Sequence, residues 1–182
     1  SFGFEMDLDE ARRVIRVYRE ANFRITTLWR DASYVLEHMA RGDSVQFGVE
    51  EALTVDATRN AIILPSGLLM RYDELAGEQG EQGVDYTYKV RRGRNRIYGG
   101  KVIENVCQAI ARCIIGEQML KIAKRYRVVL TVHDSVVCCV HEAKVKEAQE
   151  YIEGCMRWLP KWAHGMPIDC ESGIGKSYGD CE

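Results

Sequence analysis

Over the first forty residues, apolar positions recur every three or four: Leu8, Ala11, Ile15, Tyr18, Ile25, Leu28, Ala32, Val35 and Met39. That period predicts helix, opened by Asp7 with Glu10 three positions on and stopped at Gly42. The stretch is long for one globular helix, so a break is expected near Asn22–Phe23. The period then shortens. Val45–Val49 and Leu53–Asp56 read as short strands, and Ala61–Tyr72 as two strands around a Pro65-Ser66-Gly67 turn. Residues 76–83 (AGEQGEQG) read as a polar loop, Val84–Val90 as an alternating strand, and Lys89–Arg96 (KVRRGRNR) as a basic loop.

A helix is expected over residues 98–126. On a helical wheel Val102, Ile103, Val106, Ala109, Ile110, Cys113 and Ile114 share one face. Lys101, Glu104, Asn105, Gln108 and Arg112 fall on the opposite stripe. Beyond Tyr126, the β-branched runs Val128–Val132 and Val136–Val140 flank His133-Asp134-Ser135 and predict a hairpin with a tight polar tip. A last amphipathic helix is expected over Glu142–Arg157. The GIGKS run at Gly173–Ser177 is not a phosphate loop, because Cys170 stands where that motif needs its first glycine.

Composition sharpens this outline. A chain of 182 residues, 46% hydrophobic and with net charge -2, is long enough to bury a core and is not a disordered one. No apolar run approaches the roughly 18 residues of a membrane span, and the opening SFGFEMDLDE is no signal peptide. The seven cysteines form no CxxC pair and read as reduced thiols of an intracellular protein.

The near-neutral total hides an uneven distribution. Residues 1–86 carry a balance of -7, residues 87–127 one of +9, and residues 128–182 one of -4. All the lysines lie beyond position 88. The central excess is a footprint for a polyanion. Within it, Lys89–Arg96 places five cations in eight residues, where Arg91, Arg92, Arg94 and Arg96 are candidates for phosphate contacts. Lys101, Glu104, Gln108 and Arg112 continue that candidate surface onto the following helix. At the hairpin tip, Asp134 is a rigidly held, exposed carboxylate of the kind a hard divalent cation takes as a ligand. Asp is equally a routine turn residue.

Taken in order, these segments resemble the C-terminal part of a family A (polymerase-I family) DNA polymerase of the phage type. The resemblance rests on YREANFRITTLW (Tyr18–Trp29), LPSG (Leu64–Gly67), YGGKVIENVCQAIAR (Tyr98–Arg112), LTVHDSVV (Leu130–Val137), and PKWAHGMPIDCE with GIGKSYG. It spans essentially the whole chain. It implies an α+β fold, an antiparallel palm sheet with the motif C hairpin packed on helices, preceded by long fingers-derived helices. Residues 1–42 would end the fingers, residues 43–97 form a small β-rich segment with the basic loop, and residues 98–182 form the palm portion.

The resemblance also implies chemistry. Asp134 matches the motif C aspartate, which binds catalytic Mg2+ in a two-metal site shared with a motif A aspartate. His133 matches the motif C histidine near the primer terminus. Gln108 matches a glutamine facing the minor groove of the primer-template, and Glu104 stands where many relatives carry asparagine. Ser135 replaces a frequent glutamate. The implied partners are primer-template DNA, deoxynucleoside triphosphates and an upstream polymerase portion carrying motifs A and B, with no membrane. The implied location is the cytoplasm, that of the host cell for a phage-encoded protein.

No segment here resembles motif A or motif B. The chain is therefore expected to be the C-terminal piece of a cut or split polymerase and to be inactive in isolation. The alternative is a non-catalytic DNA-binding accessory domain in which His133-Asp134 is an inert turn. A His133/Asp134 metal-dependent nuclease would need further clustered ligands, and the flanking strands supply none.

Overall fold

The computed structural model describes residues 6–48, 51–80 and 83–181. It is an α+β chain with antiparallel sheets that divides into two compact units, Ser1–Val106 and Cys107–Glu182.

In the first unit, α1 (Leu8–Ala21) starts at Asp7, whose side chain accepts from the Glu10 amide at 2.7 Å. This satisfies one of the free amides of the first turn. Asn22 leaves helical geometry with φ -111° and ψ 43°, so the expected break falls at that residue. Helix α2 (Phe23–Arg41) ends at Gly42, left-handed at φ 88°. The two helices differ in burial. Helix α2 buries Ala32, Val35, Leu36 and Met39, whereas α1 buries nothing and leaves Val14, Ile15, Val17 and Tyr18 exposed.

Four short antiparallel strands follow: β1 (Gln46–Phe47), β2 (Leu53–Asp56), β3 (Ala61–Ile63) and β4 (Leu69–Arg71). Phe47, Leu53, Val55, Ala61, Ile62 and Leu64 are buried in and beside these strands. The Pro65-Ser66-Gly67 turn joins β3 to β4, with Gly67 at φ 82°. Val49, at the end of the first expected strand, lies outside the described residues.

Residues 76–80 overturn the expected polar loop. Strand β5 (Ala76–Gly80) pairs with β6 (Gly83–Val90), which pairs in turn with β7 (Gly93–Ile97). Cross-strand bonding overrides the weak β propensity of AGEQG. Gly77 suits its place because a Cβ there would stand 2.8 Å from Val84 and 2.9 Å from Tyr86. The remainder of the expected loop, Glu81–Gln82, lies outside the described residues. The basic stretch is likewise a hairpin and not a loop. Val90 pairs with Gly93, leaving Arg91 and Arg92 at the tip.

Helix α3 (Gly99–Ile122) begins in the first unit, where Val102 and Val106 are buried. In the second unit Ile114, Gln118 and Ile122 are buried along its remaining turns. Gln118 donates from Nε2 to the carbonyl oxygens of Met156 (2.6 Å) and Trp158 (2.9 Å). It thereby holds the end of α4 (Val145–Met156) and satisfies acceptors a helix terminus leaves open. Tyr151 on α4 donates to the Lys121 carbonyl at 2.9 Å, and Trp162 donates from Nε1 to Glu117 at 2.8 Å. Strands β8 (Val128–Val132) and β9 (Ser135–Cys138) form a two-stranded sheet of their own among the described residues.

Candidate nucleic-acid interface and hairpin-tip carboxylate

The hairpin tip is two residues long. Val132 pairs with Ser135, and His133 takes the left-handed φ of 52°, which costs a non-glycine residue about 1 kcal/mol. His133 and Asp134 are exposed, and neither side chain has a hydrogen-bond or ion-pair partner among the described residues. Ser135 donates from Oγ to the Val132 carbonyl at 2.8 Å. The sheet behind the tip is only half covered, with Val129 47%, Leu130 45% and Val132 38% exposed.

A hard divalent cation wants about six oxygen ligands around it. Asp134 offers one carboxylate. Among the described residues no three His, Cys, Asp or Glu side chains converge on a common point. These residues by themselves do not fit a two-metal centre.

The five cations of the basic hairpin have unequal freedom. Lys89 Nζ lies 2.6 Å from Glu74. Arg94 donates from Nε to Thr87 Oγ1 at 2.9 Å, and from Nη2 to the carbonyls of Glu74 (2.5 Å) and Thr87 (3.0 Å). Arg96 is paired with Asp85 across the strands. Arg91 and Arg92 are exposed at the tip and have no partner among the described residues. Sequence alone grouped all four arginines. The register separates them, since it sets Thr87 opposite Arg96, Lys89 opposite Arg94, and only the tip residues beyond the last pair.

On α3 the Lys101 ammonium donates to both Glu104 carboxylate oxygens, at 2.8 and 2.9 Å. That bond to Glu104 holds the Lys101 pKa above its usual value. Asn105 is spent internally. Its Nδ2 donates to the Tyr72 hydroxyl at 3.2 Å, and burial pushes the Tyr72 pKa up to about 12. Tyr72 also meets Tyr88 edge to face, with ring centroids 5.2 Å apart. Farther along the helix Gln108 and Arg112 are exposed. The Asn105–Tyr72 bond was not legible from the helical wheel. The polar sequence neighbours of Asn105 carry no sign that a tyrosine 33 positions away reaches it.

The chain is similar to the DNA polymerase of Bacillus phage SP02, with 25% identity over 178 residues, covering 93% of this chain. It spans 27% of the length of that polymerase. The match supports a relation to phage DNA polymerases. No family model matches the chain, and no solved structure matches it. No helix among the described residues is long and apolar enough to cross a membrane.

Proposed function

We propose that this chain is the C-terminal, palm-bearing portion of a family A DNA polymerase, one that acts together with an upstream portion carrying motifs A and B. The observation that carries the reading is the LTVHDSVV segment, folded as a hairpin with Asp134 exposed at a two-residue tip. It stands in a chain that aligns along 93% of its length with a phage DNA polymerase. In this reading Asp134 contributes one carboxylate to a Mg2+ site completed by the upstream portion. His133 lies beside the primer terminus. Gln108, Arg112 and the Lys101–Glu104 pair face the primer-template, and Arg91 and Arg92 hold its phosphates. Deoxynucleoside triphosphates are the second substrate. The half-covered β8–β9 sheet suits a chain whose palm is completed by strands supplied from elsewhere.

The lone carboxylate at the tip gives the rival reading, a non-catalytic DNA-binding domain, its own support. Primer extension with Mg2+ separates the two. The chain is assayed alone and then mixed with an upstream polymerase fragment carrying motifs A and B, each beside an Asp134→Ala variant. The polymerase reading expects extension only in the mixture, abolished by Asp134→Ala while duplex binding is kept. Extension by the isolated chain, or a mixture indifferent to Asp134→Ala, overturns the assignment.

A further inference from the structure

A cleft of about 630 Å³ lies in the first unit. Two aromatic side chains border it: Trp29 from α2 and Tyr98 from the residue preceding α3. Tyr98 is 60% exposed. Gly99 and Gly100 line the cleft beside these two side chains. A Cβ at Gly100 would stand 3.2 Å from Tyr98 Cε2 and 3.7 Å from Trp29 Cγ, so both rings flank that residue. A Cβ at Gly99 would fall 1.9 Å from the Trp29 carbonyl oxygen and 2.8 Å from the Ser33 amide nitrogen. The close approach of these two backbones brings Trp29 and Tyr98 to the same cleft.

The charge around the rings is also defined. Arg19 and Arg30 line the cleft. Arg19 has no partner among the described residues, and Arg30 has only Asp31, at 3.8 Å. The one carboxylate on the lining, Glu104, is already engaged by Lys101. The cleft thus offers two aromatic surfaces next to two available guanidinium groups. That is the combination that binds unpaired nucleotides, with bases stacked on rings and phosphates held by cations. A duplex cannot use it, because its bases already cover each other's faces.

We infer that the Trp29–Tyr98 cleft binds one unpaired nucleotide of single-stranded DNA, its base against the two rings and a flanking phosphate at Arg19 and Arg30. The inference deepens the polymerase reading, which supplies a single strand as substrate, but it rests on separate residues. Fluorescence anisotropy of the 182-residue chain with a labelled oligothymidylate and with a blunt duplex tests it.

Stacking on one ring predicts that Tyr98→Leu weakens oligothymidylate binding about 10-fold and leaves duplex binding unchanged. Tyr98→Phe keeps the ring face and the affinity. Arg19→Ser flattens the dependence of single-strand affinity on salt by about 0.7 in the log–log slope. Failure of the wild-type chain to bind oligothymidylate, or a Tyr98→Leu variant equal to wild type, overturns the cleft assignment. Primer extension that fails while Tyr98-dependent single-strand binding persists removes the polymerase reading and leaves the cleft standing. Asp134-dependent extension with no Tyr98 effect does the reverse.

Discussion

Ser135 fastens the hairpin tip to Val132: its Oγ donates to the Val132 carbonyl at 2.8 Å, across His133 and Asp134. The Ser135 side chain is thus turned back onto the backbone of its own hairpin. The hydroxyl helps to hold the left-handed conformation of His133, φ 52°, in place. Stiffness at the tip is what keeps Asp134 in one place.

Ser135→Ala is accordingly expected to lower stability by about 0.5–1 kcal/mol, the net value of one hydrogen bond at an exposed site. A urea titration reads this as a small fall in midpoint at constant slope. An unchanged midpoint would mean the bond does not hold the turn.

Gly99→Ala tests the helix crossing beside the aromatic cleft. The new methyl group would fall 1.9 Å from the Trp29 carbonyl oxygen and 2.8 Å from the Ser33 amide nitrogen, both of them backbone atoms that cannot rotate away. Overpacking of this kind costs about 1–3 kcal/mol, and more where the backbone must separate. The urea midpoint should drop clearly. Gly116→Ala is the control, since a Cβ there meets nothing within 4 Å and alanine favours helix. Equal midpoints for the two variants would contradict the close approach.

The C-terminal segment is expected to come loose in acid. Arg157 donates from Nε to Asp169 at 2.7 Å, from Nη1 to Glu153 at 2.8 Å and from Nη2 to the Cys170 carbonyl at 3.1 Å. The bond to Arg157 holds the Asp169 pKa below its ordinary 3.8. Ser172 first, and Arg157 second, hold Glu153 below its ordinary 4.5. A carboxyl whose pKa is lower folded than unfolded binds protons more readily when unfolded. Its stabilisation is therefore complete above about pH 4.5 and is lost as pH falls through the lowered values. Protection of the Cys170 amide, which donates to Asp169 at 2.8 Å, measured against the intrinsic exchange rate at each pH, should fall across that window. Arg157→Ala should bring the same loss of protection at neutral pH. Protection that ignores both changes would show that the segment is held by other contacts.

Some of this architecture was legible in the residue pattern, and the exceptions have physical causes. The helix break at Asn22, the caps at Asp7 and Gly42 and the β8–β9 hairpin all depend on neighbours in sequence, so local chemistry announced them. Strand β5 was not legible. Its glycines have low strand propensity, and only pairing with Val84–Thr87 makes AGEQG extended. The unequal availability of the basic residues was hidden for a related reason. Arg94 is engaged by Glu74 and Thr87, and Arg96 is paired with Asp85, and those partnerships exist only once the register is set. The Trp29–Tyr98 cleft joins residues far apart in the chain through two glycines whose closeness no periodicity reveals.

That sorting of cations gives the sharpest expectation for DNA binding. Arg91 and Arg92 stand at the hairpin tip with no partner among the described residues, whereas Arg94 must break bonds to Glu74 and Thr87 before it can reach a phosphate. Each phosphate neutralised by a cation contributes about 0.9 to the slope of log affinity against log salt for duplex DNA. A double Arg91→Ser, Arg92→Ser variant should therefore bind duplex with a slope shallower by about 1.8, and its urea midpoint should stay at the wild-type value. Arg94→Ser should do the opposite, lowering the midpoint by unfastening β6 from β7 while moving the slope little. Anisotropy titrations of one blunt duplex at several salt concentrations, run beside urea melts, distinguish these outcomes. Slopes that match wild type in the double variant would take the hairpin out of the DNA-binding surface and leave that role to α3.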